Sequence, residues 1–208
     1  VTRVSRAFRS GPKGVEVALS LVFEPKLVEF SPEDRDAWVA GERSGCRDRY
    51  CAGISGGQGI GGFGEYTVGR YWQDQGYEWV HHDFDIIGAN KRVYESQGAL
   101  EDALGSDRLR EFKAICQSLW PFAEEHHGPV EQPDLMIYKG TSEIRFAECK
   151  RYGTPDQVNP RQALGLFLIT SLLKVPVDVF VVAEEGTCVE PLKAITFLYD
   201  EHGVRVAR

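Results

Sequence analysis

Long apolar runs are missing from this chain of 208 residues. The longest, LGLFLITSLL at 164–173, is about half of the roughly 20 residues a helix needs to cross a bilayer, and it is expected to be a buried helix instead. No sustained apolar core follows the basic start VTRVSRAFRSGPKG, so no secretory leader is read there. A first residue that is Val and not Met is expected of a domain processed or excised from a longer protein. A disulfide framework is missing too. The five cysteines, Cys46, Cys51, Cys116, Cys149 and Cys188, are odd in number and scattered, which predicts free thiols and a reducing, cytoplasmic site of action. Cys46 and Cys51 have no second Cys/His pair at zinc-binding spacing nearby, which disfavours a structural zinc. A basic excess is also lacking: the net charge of −7 does not point to a nucleic-acid binder, and no broad basic face is expected. Only residues 128–176, with six basic and five acidic side chains, escape the acidic balance. They leave a local path for an anionic substrate.

Glycine is plentiful, but not in a phosphate-binding pattern. GISGGQGIGGFG (53–64) holds seven glycines in twelve residues. It lacks a following GK[ST] and a clear apolar strand before it, so a flexible connector is expected. Upstream, VEVALSLVFEP (15–25) reads as a short strand or a helix. SPEDRDAWVAGER (31–43) reads as a helix with Ser31 as N-cap and Pro32 at its first position.

From Gly64 onward the elements follow one another closely. A helix is predicted over about 64–75, closed by Gly76, and then a strand over about 77–87 rich in aromatic and β-branched residues. Residues 92–127 read as helical or irregular, with helical spacing in two pieces, the second capped by Ser106. Two strands at about 134–139 and 143–149 are joined by KGTS. Asn159-Pro160 then opens a helix to about 174. VDVFVVAEE (177–185) has the continuous β-branched run of an interior strand. AITFLYDEHGVRVAR is expected to be a terminal hairpin turning at His202-Gly203. The order predicts an α/β fold: a mixed central sheet with helices on its faces and a helical insertion at about 88–128. Residues 1–55 are set apart as an N-terminal extension of unknown fold and 56–208 as the main domain.

Within PDLMIYKGTSEIRFAECK (133–150), two adjacent strands would carry Asp134 and Glu148 to one end of the sheet, with Lys150 beyond. Two carboxylates about 4 Å apart repel by roughly 4 kcal/mol at an effective dielectric near 20. Such a pair holds a cation or shares a proton. Oxygen ligands of this kind suit Mg²⁺, which binds through one or two carboxylates, waters and substrate phosphate oxygens. Glu148 and Lys150 leave the same face of a strand, whereas Cys149 points the other way and offers its backbone carbonyl as a further ligand. Lys150 would place a positive charge beside metal-bound water and the developing phosphorane. Glu65 could reach the same or a second metal. Gln162 could orient water or phosphate, and Arg161 could hold the backbone. Arg151 and Tyr152 stand next to the lysine as candidate substrate contacts. A structural ion-pair cluster at a sheet end is the plainer alternative. His81-His82 and His126-His127 are not expected to bind metal, because adjacent histidines on a strand face opposite ways.

The order PD, ECK and then Q resembles the PD-(D/E)xK nuclease superfamily, and more narrowly its VRR-NUC family. The matching residues are Pro133-Asp134-Leu135, Glu148-Cys149-Lys150, Thr154-Pro155-Asp156 in the following loop, Asn159-Pro160-Arg161-Gln162 and the VDVFVVAEE strand. Glu65 in GEYTVGRYWQDQGYE would be the glutamate of the first core helix. The loop RYGTPDQ is longer than the family's KGPxD form, and residues 1–55 fall outside the resemblance. The resemblance implies a restriction-endonuclease-like core that hydrolyses DNA phosphodiester bonds with Mg²⁺ or Mn²⁺. Asp134, Glu148 and the Cys149 carbonyl would bind the metal. Lys150 would orient and polarise the attacking water, Gln162 would position water or phosphate, and Glu65 would complete the shell or accept the water's proton. It leaves open a repair or structure-specific nuclease, a toxin-type nuclease with a cognate immunity protein, and an inactive module that binds nucleic acid or protein.

Overall fold

The computed structural model describes residues 2–11, 14–42, 62–88, 94–119, 130–200 and 203–206. The expectations for most of the glycine-rich stretch, for Cys46 and Cys51, for His126-His127 and for His202 lie outside the described residues.

Five strands form the central sheet: β3 (Lys26–Phe30), β4 (Glu78–His81), β5 (Leu135–Lys139), β6 (Glu143–Arg151) and β7 (Val177–Glu184), in the order β3-β7-β6-β5-β4. β7 pairs in parallel with β3 and β6, while β5 pairs antiparallel with β6 and β4. The chain is therefore α/β with a mixed sheet. A second sheet, all antiparallel, orders as β1-β2-β8-β9, from β1 (Thr2–Gly11), β2 (Gly14–Phe23), β8 (Ile195–Asp200) and β9 (Gly203–Val206). The helices are α1 (Pro32–Ala40), α2 (Phe63–Gln73), α3 (Gln97–Leu104), α4 (Ser106–Ser118) and α5 (Pro160–Leu168), the last continued by a π-helical turn, Ile169–Leu173.

Side-chain alternation along the strands builds a core layer on each face of the central sheet. Leu135, Ile137, Ala147, Cys149 and Phe180 pack with Trp38 of α1 and with Phe63, Val68 and Trp72 of α2. Met136, Phe146, Val177 and Val179 pack on the other face with Leu100 and Leu104 of α3, Phe112 of α4 and Leu166 of α5. Leu21 and Phe23 of β2 and Ile195 of β8 join this second layer, which seats the four-stranded sheet on that side.

Two helix starts follow their sequence closely. Ser31 accepts from the Asp34 N–H at 3.1 Å, and Asp34 Oδ2 accepts from the Ser31 N–H at 3.0 Å. Asn159 and Gln162 repeat this reciprocal cap at α5. Several expectations need correction. VEVALSLVFEP, which suits a strand or a helix, contributes most of β2, and β2 belongs to a second sheet that the order of elements does not predict. β3 and α1, placed in the N-terminal extension, belong to the central sheet and its helix layer. The strand expected over 77–87 ends at His81, because His82 turns left-handed at φ 54° and cannot continue an extended chain. The cap expected from Ser106 is absent: Gly105, at φ 81°, takes that position and Ser106 is the first helical residue. Such a φ suits glycine and would strain serine. The last helix changes to π geometry after Leu168 and stops at Lys174.

Candidate functional site

Pairing between β5 and β6 ends at the rung Leu135↔Ala147. Two residue pairs further, the same register would set Cys149 opposite Pro133, which has no N–H to donate. The ladder therefore cannot continue. The Cys149 N–H is taken by Asp134 Oδ2 at 2.9 Å. The Cys149 carbonyl lies on the same side of the strand and would, on a regular rung, receive the N–H that proline lacks. The proline and aspartate together open the sheet edge and put a carboxylate into the gap. Asp134 sits immediately before β5, not within it.

On the neighbouring face of β6, Glu148 is fully buried and Lys150 is 4% exposed. Lys150 Nζ lies 2.8 Å from Glu148 Oε1 and 2.9 Å from Asp156 Oδ1 in the loop that follows β6. Glu148 Oε2 is buried with no hydrogen-bond partner. A buried carboxylate oxygen left in that state is costly unless a proton, a counter-charge or a further ligand satisfies it.

Charge is crowded here. Burial, and then the charge of Asp134, push the Glu148 carboxyl well above the usual range. Burial likewise raises Asp134 to about 7, against the hydrogen bond from Cys149 N–H. Glu65, in the first turn of α2, is raised by burial as well. Burial works against the charge on Lys150, but Glu148, Asp156 and Asp134 outweigh it and hold the ammonium above its ordinary value. Asp134, Glu148, Glu65, Lys150 and Asp156 thus form one electrostatic cluster at the end of β6.

The two histidines of β4 and its exit belong to this cluster. The left-handed backbone at His82 cancels the strand alternation, and the His81 and His82 rings lie 4.1 Å apart at 35°. His81 Nε2 is 3.8 Å from Glu65 Oε1, and His82 Nε2 is 4.0 Å from Asp134 Oδ1. Burial, and then His82, lower His81 to about 3, and burial lowers His82. The expectation that adjacent histidines face opposite ways fails at this site. No sign of it stands in the sequence, where the strand is expected to run on to about residue 87.

The remaining candidates stand differently. Gln162 Oε1 accepts from the Asn159 N–H at 3.1 Å, which gives its carbonyl to the helix cap. Arg161 pairs with Glu131 at 2.7 Å, so its guanidinium is tied to the segment leading into Asp134. Arg151 ends β6 and lowers the pKa of Glu65 through its charge. Tyr152 is 38% exposed at the mouth of the loop.

Among the described residues, no group of three or more His, Cys, Asp or Glu side chains is placed to hold a metal ion. An ion here would depend on the Asp134 and Glu148 pair, the Cys149 carbonyl, and ligands from water or substrate. No helix among the described residues is long and apolar enough to cross a membrane. Neither a protein-family model, nor a curated protein, nor a solved structure matches the chain.

Proposed function

We propose that this chain is a Mg²⁺- or Mn²⁺-dependent deoxyribonuclease with a restriction-endonuclease-like core. The observation that carries the reading is the buried Glu148 carboxylate, with one oxygen unpartnered, beside Asp134 and within 2.8 Å of the Lys150 ammonium. The fit to a hard divalent cation is good: two carboxylates disfavoured as neighbouring anions would be stabilised by a positive ion between them. Asp134, Glu148 and the Cys149 carbonyl would hold it. The bound ion would supply Lewis-acid polarisation of phosphate and a water of lowered pKa.

The chain's own groups do the rest. Lys150, buried and kept charged, stabilises negative charge developing on the phosphate and orients the nucleophilic water. Glu65, whose affinity for protons is raised by burial, accepts the water's proton, with His81 beside it. Arg151 and Tyr152 receive the DNA backbone at the loop mouth. Gln162 and Arg161 fix the α5 start against the Asp134 segment. A role in repair of branched DNA and a role as a delivered toxin, checked by an immunity protein, both fit this chemistry.

The test is incubation of supercoiled plasmid and of branched DNA with Mg²⁺, Mn²⁺ or EDTA, using wild type and Asp134→Ala. Cleavage that needs the metal and is lost in the variant supports the reading, and the preferred DNA form separates repair from toxin. Cleavage by neither protein under any metal condition removes it.

A further inference from the structure

Lys150 has two acidic partners of different character. Glu148 is wholly buried, whereas Asp156 has a side chain 46% exposed and sits in the loop between β6 and α5. Were Glu148 to turn its charge to a cation, Lys150 would lose its inner partner. Asp156 would then be the remaining group holding Nζ in place. Its own position is set locally: the Asp156 N–H donates to Thr154 Oγ1 at 3.3 Å, and Thr154 Oγ1 donates to the Arg151 carbonyl at 2.8 Å. The loop is therefore tied back to the strand end that carries the lysine. We infer that Asp156 is the positioning residue for Lys150, fixing the ammonium at the reacting phosphate from the solvent side.

This inference rests on the reading of the site as a phosphodiester-hydrolysing centre. A lysine side chain has several rotamers, and an ammonium released from Asp156 would be less tightly held in the position it takes here. Misplacement of a catalytic group by about 1 Å costs on the order of a hundredfold in rate. Substrate binding draws on other contacts, so the loss should fall on kcat.

The test compares wild type, Asp156→Asn and Asp156→Glu. Asp156 is half exposed and Lys150 keeps Glu148 as its inner partner at 2.8 Å, so the variants are expected to fold. The expected result for Asp156→Asn is a kcat lowered about ten- to a hundredfold with KM changed less than about twofold, and Asp156→Glu recovers most of the rate. A second readout needs no activity: acetylation of Lys150 by acetic anhydride, followed by peptide mass spectrometry. Lysine held between two carboxylates is slow to react, and Asp156→Asn should speed modification at Lys150 while leaving exposed lysines unchanged. Unchanged kcat, or a kcat that rises because Asp156 had been sequestering the lysine, overturns the inference, as does an unaltered acetylation rate. If wild type cleaves no DNA at all, the proposed reaction fails, while the acetylation comparison still decides whether Asp156 positions Lys150.

Discussion

Asp134→Asn should make the metal-free protein more stable at pH 8 while destroying its use of metal. Asn keeps the shape of the side chain and an oxygen to accept the Cys149 N–H, which Asp134 now takes at 2.9 Å. It removes the charge and exchanges one acceptor oxygen for an NH₂ donor. The folded protein raises this carboxyl from 3.8 to about 7, chiefly by burial. Because the folded pKa exceeds the unfolded one, the native state holds the proton more tightly. The associated stability is fully present below about pH 3.8 and is lost as pH rises to about 7. A rise from 3.8 to about 7, at about 1.4 kcal/mol for each tenfold change in proton affinity, sets an upper bound of about 4 kcal/mol at pH 8. Asn, always neutral, escapes that loss. Between pH 5 and pH 8 the advantage of the variant over wild type should therefore grow by about 2–3 kcal/mol, or roughly 5–10 °C in Tm for a chain of this size. The assay is thermal and urea denaturation of both proteins in EDTA at the two pH values, repeated with Mn²⁺. Bound metal should raise wild type and leave Asp134→Asn unmoved. A variant less stable than wild type at pH 8, or a gap that does not widen with pH, would refute the claim that Asp134 is a strained buried anion.

Other substitutions test the frame around the site. Gly165→Ala would drive a new Cβ into the Glu131 carbonyl oxygen. It should cost about 3 kcal/mol or more in urea denaturation, with cleavage falling because the segment into Asp134 is displaced. Ser31→Ala removes the reciprocal cap of α1 and should cost about 1 kcal/mol, with DNA cleavage unchanged. At His82, whose φ is 54°, Gly should be more stable than Ala by about 1 kcal/mol in the same denaturation, because the left-handed backbone penalises any Cβ. Equal stability of the two would show that the turn is not held left-handed in solution.

Local signals in the sequence reached some elements and stopped short of others. Ser31-Pro32 and Asn159-Pro160 announce their helices because capping and proline's fixed φ are properties of adjacent residues. β7 was legible from its unbroken β-branched run. β3 was not, since its pairing with β7 joins residues about 150 positions apart and five residues carry too little periodicity. The four-stranded sheet escaped for the same reason: β2 finds β8 across most of the chain.

At the site, Asp134, Glu148 and Lys150 could be grouped because strand alternation and the short KGTS connection are local, but that grouping takes no account of the part Pro133 plays in ending the ladder. The histidines could not, because their placement follows from one residue's backbone reversal. The pairing of Asp156 with Lys150 depends on how a loop folds back, which spacing does not fix. Gln162, assigned to water or phosphate, gives its carbonyl to the helix cap, a role equally written in Asn159-Pro160-Arg161-Gln162.

The central claim is that the buried carboxylates and Lys150 form a hydrolytic centre and not a structural ion cluster. Lys150→Ala tests it most directly, with Mn²⁺ binding followed by calorimetry and plasmid nicking followed under saturating metal. The account predicts that wild type binds Mn²⁺ and nicks DNA, while the variant still binds Mn²⁺ through Asp134 and Glu148 and nicks at least about a hundredfold more slowly. A wild-type protein that neither binds Mn²⁺ nor nicks DNA, or a folded Lys150→Ala protein that nicks as fast as wild type, would contradict it.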